Sequence, residues 1–153
     1  MDFNSKTVEE YLHNHIPISK AMGITVVNIE PNMLVLKAPI TLNINHRETV
    51  FGGSASAVAI LSAWSLIHTK LLEEGIQSRL VIQKNTMQYI KPIENDFTAT
   101  CTIDDSKVWE RFIKILKRKG ISRINLKAFL TCKDEVVADF TGDYVAIKQL
   151  DEK

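Results

Sequence analysis

One long apolar segment limits what this chain can fold into more than any other feature. The residues after Gly52 and Gly53, SASAVAILSAWSLIHTKLLEEG, contain no further breaker until Gly75, which predicts one long helix. Apolar side chains run around most of its circumference, and its small residues allow other backbone to come close. The uncharged stretch from Thr49 to Thr69 approaches membrane-spanning length, but its glycines, its serines and His68 favour a buried helix. A sheet wrapped around the helix would enclose it.

Strand patterns lie on both sides of this helix. Before it, ITVVNIE and MLVLKAPITL form a predicted hairpin around Pro31-Asn32, and after it come SRLVIQKNTMQYIKPI, DFTATCTI, ISRINLKAFLTC and EVVADFTGDYVAIK. The inward residues predicted for the last strand are Val136, Ala138, Phe140, Tyr144 and Ala146. Helices between successive strands, which a doubly wound parallel sheet requires, are missing from the pattern. The order therefore predicts an α+β fold with an antiparallel sheet.

Two shorter helices complete the pattern. Residues 7–22 are predicted to form a broken helix capped by Thr7 and interrupted at Pro17. A second short helix is expected within DSKVWERFIKILKRKG, between two of the later strands. We find no internal repeat or linker, so residues 1–153 are interpreted as one domain.

Composition excludes several classes of protein. A charged fraction of 24% and a formal net charge of +1 argue against disorder and against coating of nucleic acid. Cys101 and Cys132 lack the spacing of a zinc site, so we expect two buried thiols, a reducing compartment and no metal or cofactor. The N-terminal residues do not form a secretory signal, and a cytoplasmic location is expected.

Three stretches resemble a known family. NINHRETVFGGS, followed by a helix that carries Trp64, resembles the start of the central helix in the YiiD C-terminal family of thioesterases. MQYIKPIENDFTATCTI is similar to hot-dog thioesterases in general, and RKGISRINLKAFLTCKDEVVADFTGDYVAI to the last hairpin of that family. The resemblance implies the hot-dog fold, in which a curved antiparallel sheet wraps one long helix. It also implies a homodimer, or a dimer of dimers, that hydrolyses an acyl thioester of coenzyme A (acyl-CoA) or of acyl carrier protein (acyl-ACP).

One departure from the family bears on catalysis. Many hot-dog thioesterases have an Asp or Glu about two turns into the central helix, where this chain has Val58-Ala59-Ile60-Leu61. No carboxylate occurs between Glu48 and Glu73. A non-catalytic module that binds acyl thioesters is therefore an alternative. The fold also hosts dehydratases and hydratases, but their His-Phe-Pro loop and paired Asp and His are absent from this sequence.

The start of the long helix is the predicted site for the thioester carbonyl. The first N–H groups of a helix lack intrahelical partners, and the helix dipole favours negative charge there. Gly52 and Gly53 would let a substrate carbonyl approach the backbone, although the pair would equally allow close packing alone. Ser54 is interpreted as a cap or a hydroxyl ligand, because no nucleophile elbow surrounds it.

The loop before the helix holds the candidates for activating water. His46 is a candidate base at neutral pH, or else a solvated loop residue. Glu48 is a second candidate, or an ordinary charge near the helix dipole. Asn45 is expected either to orient water or a substrate amide, or to close a turn.

Further residues are predicted to bind the rest of the substrate. The segment from residue 107 to 127 has eight basic residues against one acid, and Lys117, Arg118 and Lys119 are expected to hold phosphates or an acidic carrier protein. A solvated face is the alternative. Asn85 and Tyr89 are expected to face the loop before Gly52 across a subunit boundary.

Overall fold

The structure, a computed structural model, describes residues 3–150 as four helices, a short 3-10 turn and six strands. The helices are α1 (Ser5–His15), α2 (Pro17–Ala21), α3 (Gly52–Glu73) and α4 (Ser106–Lys119). The strands are β1 (Thr25–Glu30), β2 (Met33–Ala38), β3 (Ser78–Tyr89), β4 (Phe97–Thr102), β5 (Ile121–Cys132) and β6 (Glu135–Lys148).

The six strands form one curved antiparallel sheet in the order β1-β2-β4-β5-β6-β3. Alternate residues of β4 and β5 are buried, as expected for strands with one face on a core. α3 contacts β2, β3, β4, β5 and β6, so the sheet wraps it. The α+β class, with a curved antiparallel sheet around one central helix, is confirmed. β1 and β3 are left at the two edges.

The central helix begins and ends where its sequence predicts. α3 starts at Gly52 and ends at Glu73, and Gly75 follows with a positive φ of 72°. In length and hydropathy it would suffice to cross a membrane, but more than half of its most apolar window is buried inside the domain. Ala59, Ala63 and Ile67 are completely enclosed. α3 is therefore the core helix of the domain.

Both cysteines are buried and free, in agreement with the sequence interpretation. Burial, with a smaller contribution from Asp104, raises the pKa of the Cys101 thiol to about 12. A thiol with such a pKa is inert at neutral pH, because the thiolate is the reactive form.

The structure corrects the predicted start of the first helix. Asn4 is the N-cap, with Asn4 Oδ1 accepting from Thr7 N at 2.9 Å and Asn4 N donating to Thr7 Oγ1 at 3.1 Å. Thr7 thus belongs to a reciprocal capping box and is not the cap itself. The interruption at Pro17 is confirmed, since Pro17 opens α2.

Two strand predictions also change. β2 ends at Ala38, because Pro39 has no N–H and the next donor, Ile40 N, bonds to Asp96 Oδ1 at 2.9 Å. In β6 the predicted inward residue Val136 is 45% exposed, whereas Val137 is 3% exposed. The pairing with β5 shifts register at this point, and the extra residue turns Val137 inward.

Candidate functional site

The start of α3 presents backbone donors without backbone partners. Phe51 precedes the helix and provides no side-chain cap. The first bond of this turn runs from Ala55 N to Phe51 O at 3.1 Å. Within residues 3–150, the N–H groups of Gly52, Gly53 and Ser54 donate to no backbone carbonyl. These N–H groups, together with the helix dipole, favour an oxygen that carries negative charge. Ser54 lies inside the first turn and is not the cap.

The Phe51 ring packs against Gly53 in the first turn of α3, and the sequence interpretation missed it. A Cβ placed on Gly53 would lie 2.5 Å from Phe51 Cε1, closer than carbon atoms can pack. The Phe51 side chain is nonetheless 58% exposed. The aromatic residue before the glycine pair was the only signal in the sequence. Glycine at position 53 is thus required for the ring to lie this close to the first turn of the helix.

Tyr89 ties the end of β3 to the same turn. Its Oη donates to Gly52 O at 2.9 Å. This bond lies within one chain and reaches the first residue of the helix. The contact expected across a subunit boundary, with the loop before Gly52, stays a prediction. Asn85 lies four residues earlier on β3, opposite Gly142, and is exposed. Because alternate residues share a face, Asn85 is on the same face as Tyr89.

The loop before the helix is a small hairpin closed by a bridge between Ile44 and Val50. Asn45 Oδ1 accepts from Arg47 N at 2.8 Å and from Thr49 N at 3.1 Å, and Asn45 Nδ2 donates to Thr49 Oγ1 at 2.8 Å. Both ends of the amide are used inside the turn. Asn45 therefore holds the shape of the loop, which was one of its two predicted roles.

His46 and Glu48 lie at the exposed tip of this hairpin. Neither side chain forms a hydrogen bond or ion pair with another residue in the part of the chain that the structure describes. Glu48 has a positive φ of 61°, which the tight turn imposes. The structure therefore places both candidates on the same loop but does not join them to the N–H groups of Gly53 and Ser54.

An apolar groove runs along α3 from its first turns. It has a volume of about 260 Å³ and lies between α2 and α3. We call it the α2 groove; its lining residues include Ile16, Ile18, Met22, Ala57, Ile60 and Trp64. Ala57 is one turn beyond Gly53, so the groove begins beside the helix start. The sequence did not predict it, because its two walls come from segments far apart in the chain.

The basic segment lies at the opposite end of α3. Lys117, Arg118 and Lys119 are exposed in the last turn of α4. Gly120, directly after α4, accepts from Lys148 N at 2.8 Å, and the next residue, Gln149, donates to Gln77 O at 2.9 Å, just beyond the C-terminal end of α3. A helix of 22 residues is about 33 Å long. Within one chain, the basic residues and the helix start are therefore not brought together.

Comparison with known proteins identifies the family. Residues 5–148 match the model of a family described as "Putative thioesterase (yiiD_Cterm)". The chain belongs to this thioesterase family. A solved protein of unknown function from Chlorobaculum tepidum is similar at 30% identity, with a TM-score of 0.90 and coverage of 95% of this chain and 94% of that one.

Two other solved structures share the fold. One, from Shewanella oneidensis and described as a putative thioesterase, has 22% identity, a TM-score of 0.84 and coverage of 94% and 96% of the two chains. Mouse thioesterase superfamily member 2 has 13% identity, a TM-score of 0.69 and coverage of 97% and 98%. The hot-dog fold is confirmed.

Membership of this family makes the apolar stretch of α3 notable. Of the four residues Val58-Ala59-Ile60-Leu61, where a carboxylate was expected from the resemblance, Val58 and Ala59 are completely buried, whereas Ile60 and Leu61 line the α2 groove. A carboxylate at position 58 or 59 would be cut off from water. Among residues 3–150 no group of three or more His, Cys, Asp or Glu side chains is arranged to hold a metal ion. The backbone donors of α3 are the clearest chemical feature of the site.

Proposed function

We propose that this protein is an enzyme that hydrolyses acyl thioesters of coenzyme A or of acyl carrier protein. One observation carries the proposal: the unpartnered N–H groups at the start of α3 lie beside the α2 groove. A thioester needs donors at its carbonyl oxygen and an apolar space for its acyl chain. This end of α3 offers both within one or two turns.

The reaction would proceed by attack of water on the thioester carbon. A base takes one proton from the water, a C–O bond forms, and the carbonyl oxygen becomes an oxyanion facing the N–H groups of Gly53 and Ser54. The C–S bond then breaks as the carbonyl reforms. The thiol leaves with the proton that the base returns, and the acyl group departs as a carboxylic acid. Preorganised donors of this kind commonly contribute about 10²–10³ in kcat per donor.

His46 is the first candidate for the base and Glu48 the second. Both lie on the loop that leads into α3, and Asn45 fixes that loop through three hydrogen bonds. A neutral imidazole can take a proton from water through its unprotonated ring nitrogen, which is the role proposed for His46. Exposure of both side chains leaves them free to turn toward a bound thioester.

The enzyme is proposed to act as a homodimer joined through β3. This strand has 12 residues, lies at the sheet edge and has a free side opposite β6. Val81, Tyr89 and Ile90 are 45%, 53% and 51% exposed. Antiparallel pairing of two β3 strands would cover the free edge. Light scattering at micromolar concentration should give twice the 17.3 kDa mass of the chain or more, and a 17.3 kDa species alone would contradict the dimer.

Pairing of this kind would also give the basic segment a role. It brings the Ser78 end of one β3 beside the Tyr89 end of the other. Ser78 pairs with Lys148, and Ile147 pairs with Ile121, directly after α4. The end of α4 is therefore two strands, or about 10 Å, from that end of β3. We propose that Lys117, Arg118 and Lys119 of one copy attract phosphates or a carrier protein to the site of the other.

Hydrolysis should be measured with a panel of acyl-CoAs and a thiol reagent that reports free coenzyme A, at neutral pH as suits a cytoplasmic enzyme. We expect turnover with at least one acyl group, and loss of turnover in Gly53→Val prepared in parallel. If no acyl-CoA reacts, the panel should be repeated with acyl carrier protein. Absence of turnover in both sets would contradict the enzyme proposal.

A non-catalytic acyl-thioester binding module is the second candidate. Two observations favour it: α3 has no carboxylate before Glu73, and the Asn45 amide forms hydrogen bonds at both its oxygen and its nitrogen inside its own turn. Such a module would bind an acyl-CoA by calorimetry and return it unchanged. Saturable binding without thiol release would place this function first.

A further inference from the structure

A second pocket lies between α1 and the C-terminal half of α3. It has a volume of about 160 Å³. We call it the α1 pocket; it is lined mainly by Val8, Tyr11, Leu12, Ser65, His68 and Leu72. Ser65 is twelve residues beyond Gly53 on α3, about 18 Å along the helix axis. The pocket is therefore distinct from the helix start where we place the thioester.

Two polar atoms in the wall of this pocket have no hydrogen-bond partner among the described residues. They are Oγ of Ser65, a residue that is 1% exposed, and Nε2 of His68. Each atom is shut off from bulk water, and a buried polar atom left unpaired costs about 1–3 kcal/mol. Positions three apart share a helix face, so the two atoms lie on the same side of α3. A small molecule that displaces neighbouring side chains slightly and reaches both atoms would satisfy a hydroxyl and an imidazole nitrogen at once.

A stack of aromatic rings fixes the orientation of His68. Its ring lies between Trp64, at a centroid distance of 4.6 Å, and Tyr11, at 4.7 Å. His15 stacks on the far side of Tyr11 at 4.0 Å. The imidazole is thus held on both faces, and its Nε2 is buried without a hydrogen-bond partner among the described residues. This arrangement suits a hydrogen bond in the ring plane.

The pocket is suited to an uncharged molecule. No Asp, Glu, Lys or Arg is among its lining residues. Burial, and secondly the nearby His15, lower the pKa of His68 to about 4, so the imidazole is neutral at pH 7. A cavity of about 150 Å³ with apolar walls accepts a molecule the size of benzene. The volume therefore suits a ligand about the size of one six-membered ring.

We propose that the α1 pocket binds a small, uncharged, ring-sized molecule that carries one hydroxyl group, with Ser65 and His68 as its hydrogen-bond partners. The proposal stands independently of thioester hydrolysis. 4-Bromophenol is a suitable probe, because its bromine can be located by anomalous scattering. Bromobenzene is the matched probe without the hydroxyl group.

Binding of both probes should be measured by calorimetry for the parent and three variants. We expect 4-bromophenol to bind the parent about tenfold more tightly than bromobenzene, as one buried hydrogen bond allows. Ser65→Ala and His68→Phe should each remove most of that preference, and His68→Phe keeps a ring in the stack. His15→Phe, the matched control at the exposed end of the stack, should retain it.

The second measurement is a crystal structure of the parent protein soaked with 4-bromophenol. It does not depend on whether any variant folds. We expect the bromine peak within the α1 pocket. A peak in the α2 groove, binding at crystal concentration only, or equal affinity of the parent for the two probes would each overturn the proposal.

Discussion

A single methyl group added at Gly53 tests the proposed role of the helix start. In Gly53→Ala the new Cβ would lie 2.5 Å from Phe51 Cε1. Because carbon atoms attract best at about 3.5–4.0 Å, the ring has to move outward by about 1 Å. Phe51 is 58% exposed, so the ring can move into solvent without disturbing the core. Alanine is favoured over glycine in a helix by up to about 1 kcal/mol. We therefore expect the free energy of unfolding to change by no more than about 1 kcal/mol.

Activity should respond much more strongly than stability. The methyl group and the displaced ring would occupy the approach to the N–H groups of Gly53 and Ser54. Loss of one such donor lowers kcat by about 10²–10³-fold, and we expect at least this loss for Gly53→Ala. Gly53→Val, with a larger side chain, should abolish turnover.

Gly52→Ala is the matched control for this experiment. Its Cβ would lie 3.6 Å from the Tyr89 ring, an ordinary van der Waals contact, so this variant should keep most of the parent rate. All three variants should be assayed by thiol release and by thermal unfolding. A Gly53→Ala enzyme with the parent rate and parent stability would refute the idea that the substrate carbonyl approaches Gly53.

Three further predictions concern other residues. His46→Ala should lower kcat by about 10²–10⁴-fold if His46 is the base, and a rate within about twofold of the parent would transfer that role to Glu48 or to the substrate. Replacing Lys117, Arg118 and Lys119 by Ala should raise KM and flatten its dependence on salt, whereas a lowered kcat with unchanged KM would contradict a role in capture. Burial, with help from His15, lowers the pKa of His68 from 6.5 to about 4, so protonation favours the unfolded chain and stability is lost as pH falls below 6.5. Between pH 7 and pH 5 the free energy of unfolding of the parent should fall by about 1–2 kcal/mol more than that of His68→Phe. An equal fall in the two proteins would contradict this prediction.

The sequence predicted the fold closely where local pattern decides structure. The glycine pair and the breaker-free run located both ends of α3, and alternation located β4 and β5. Where the pairing of two strands decides which side chains face the core, the prediction from the sequence was wrong. Whether Val136 or Val137 faces the core depends on a register shift in the pairing of β6 with β5. The residues of β6 alone do not indicate that shift.

The site was predicted in part. The first N–H groups of any helix lack intrahelical partners, so predicting where α3 begins was enough to identify Gly52, Gly53 and Ser54. The ring of Phe51, the bond from Tyr89 to Gly52 and the walls of the α2 groove depend on segments that meet only in three dimensions. Asn43 is a further example: it is buried, and its Nδ2 donates to Met22 O and Pro39 O at 2.9 and 2.8 Å. Asn43 therefore anchors the loop of the site, whereas the sequence had suggested a functional role only for Asn45, two residues later.

The most direct measurement is a crystal structure with a non-hydrolysable acyl-thioester analogue bound. We expect its carbonyl oxygen about 2.7–3.1 Å from N–H groups of Gly53 or Ser54, with the acyl chain in the α2 groove. The pantetheine arm should lead toward the edge strand β3. A carbonyl oxygen bound elsewhere, with the N–H groups at the start of α3 facing only solvent, would contradict the proposed role of this helix.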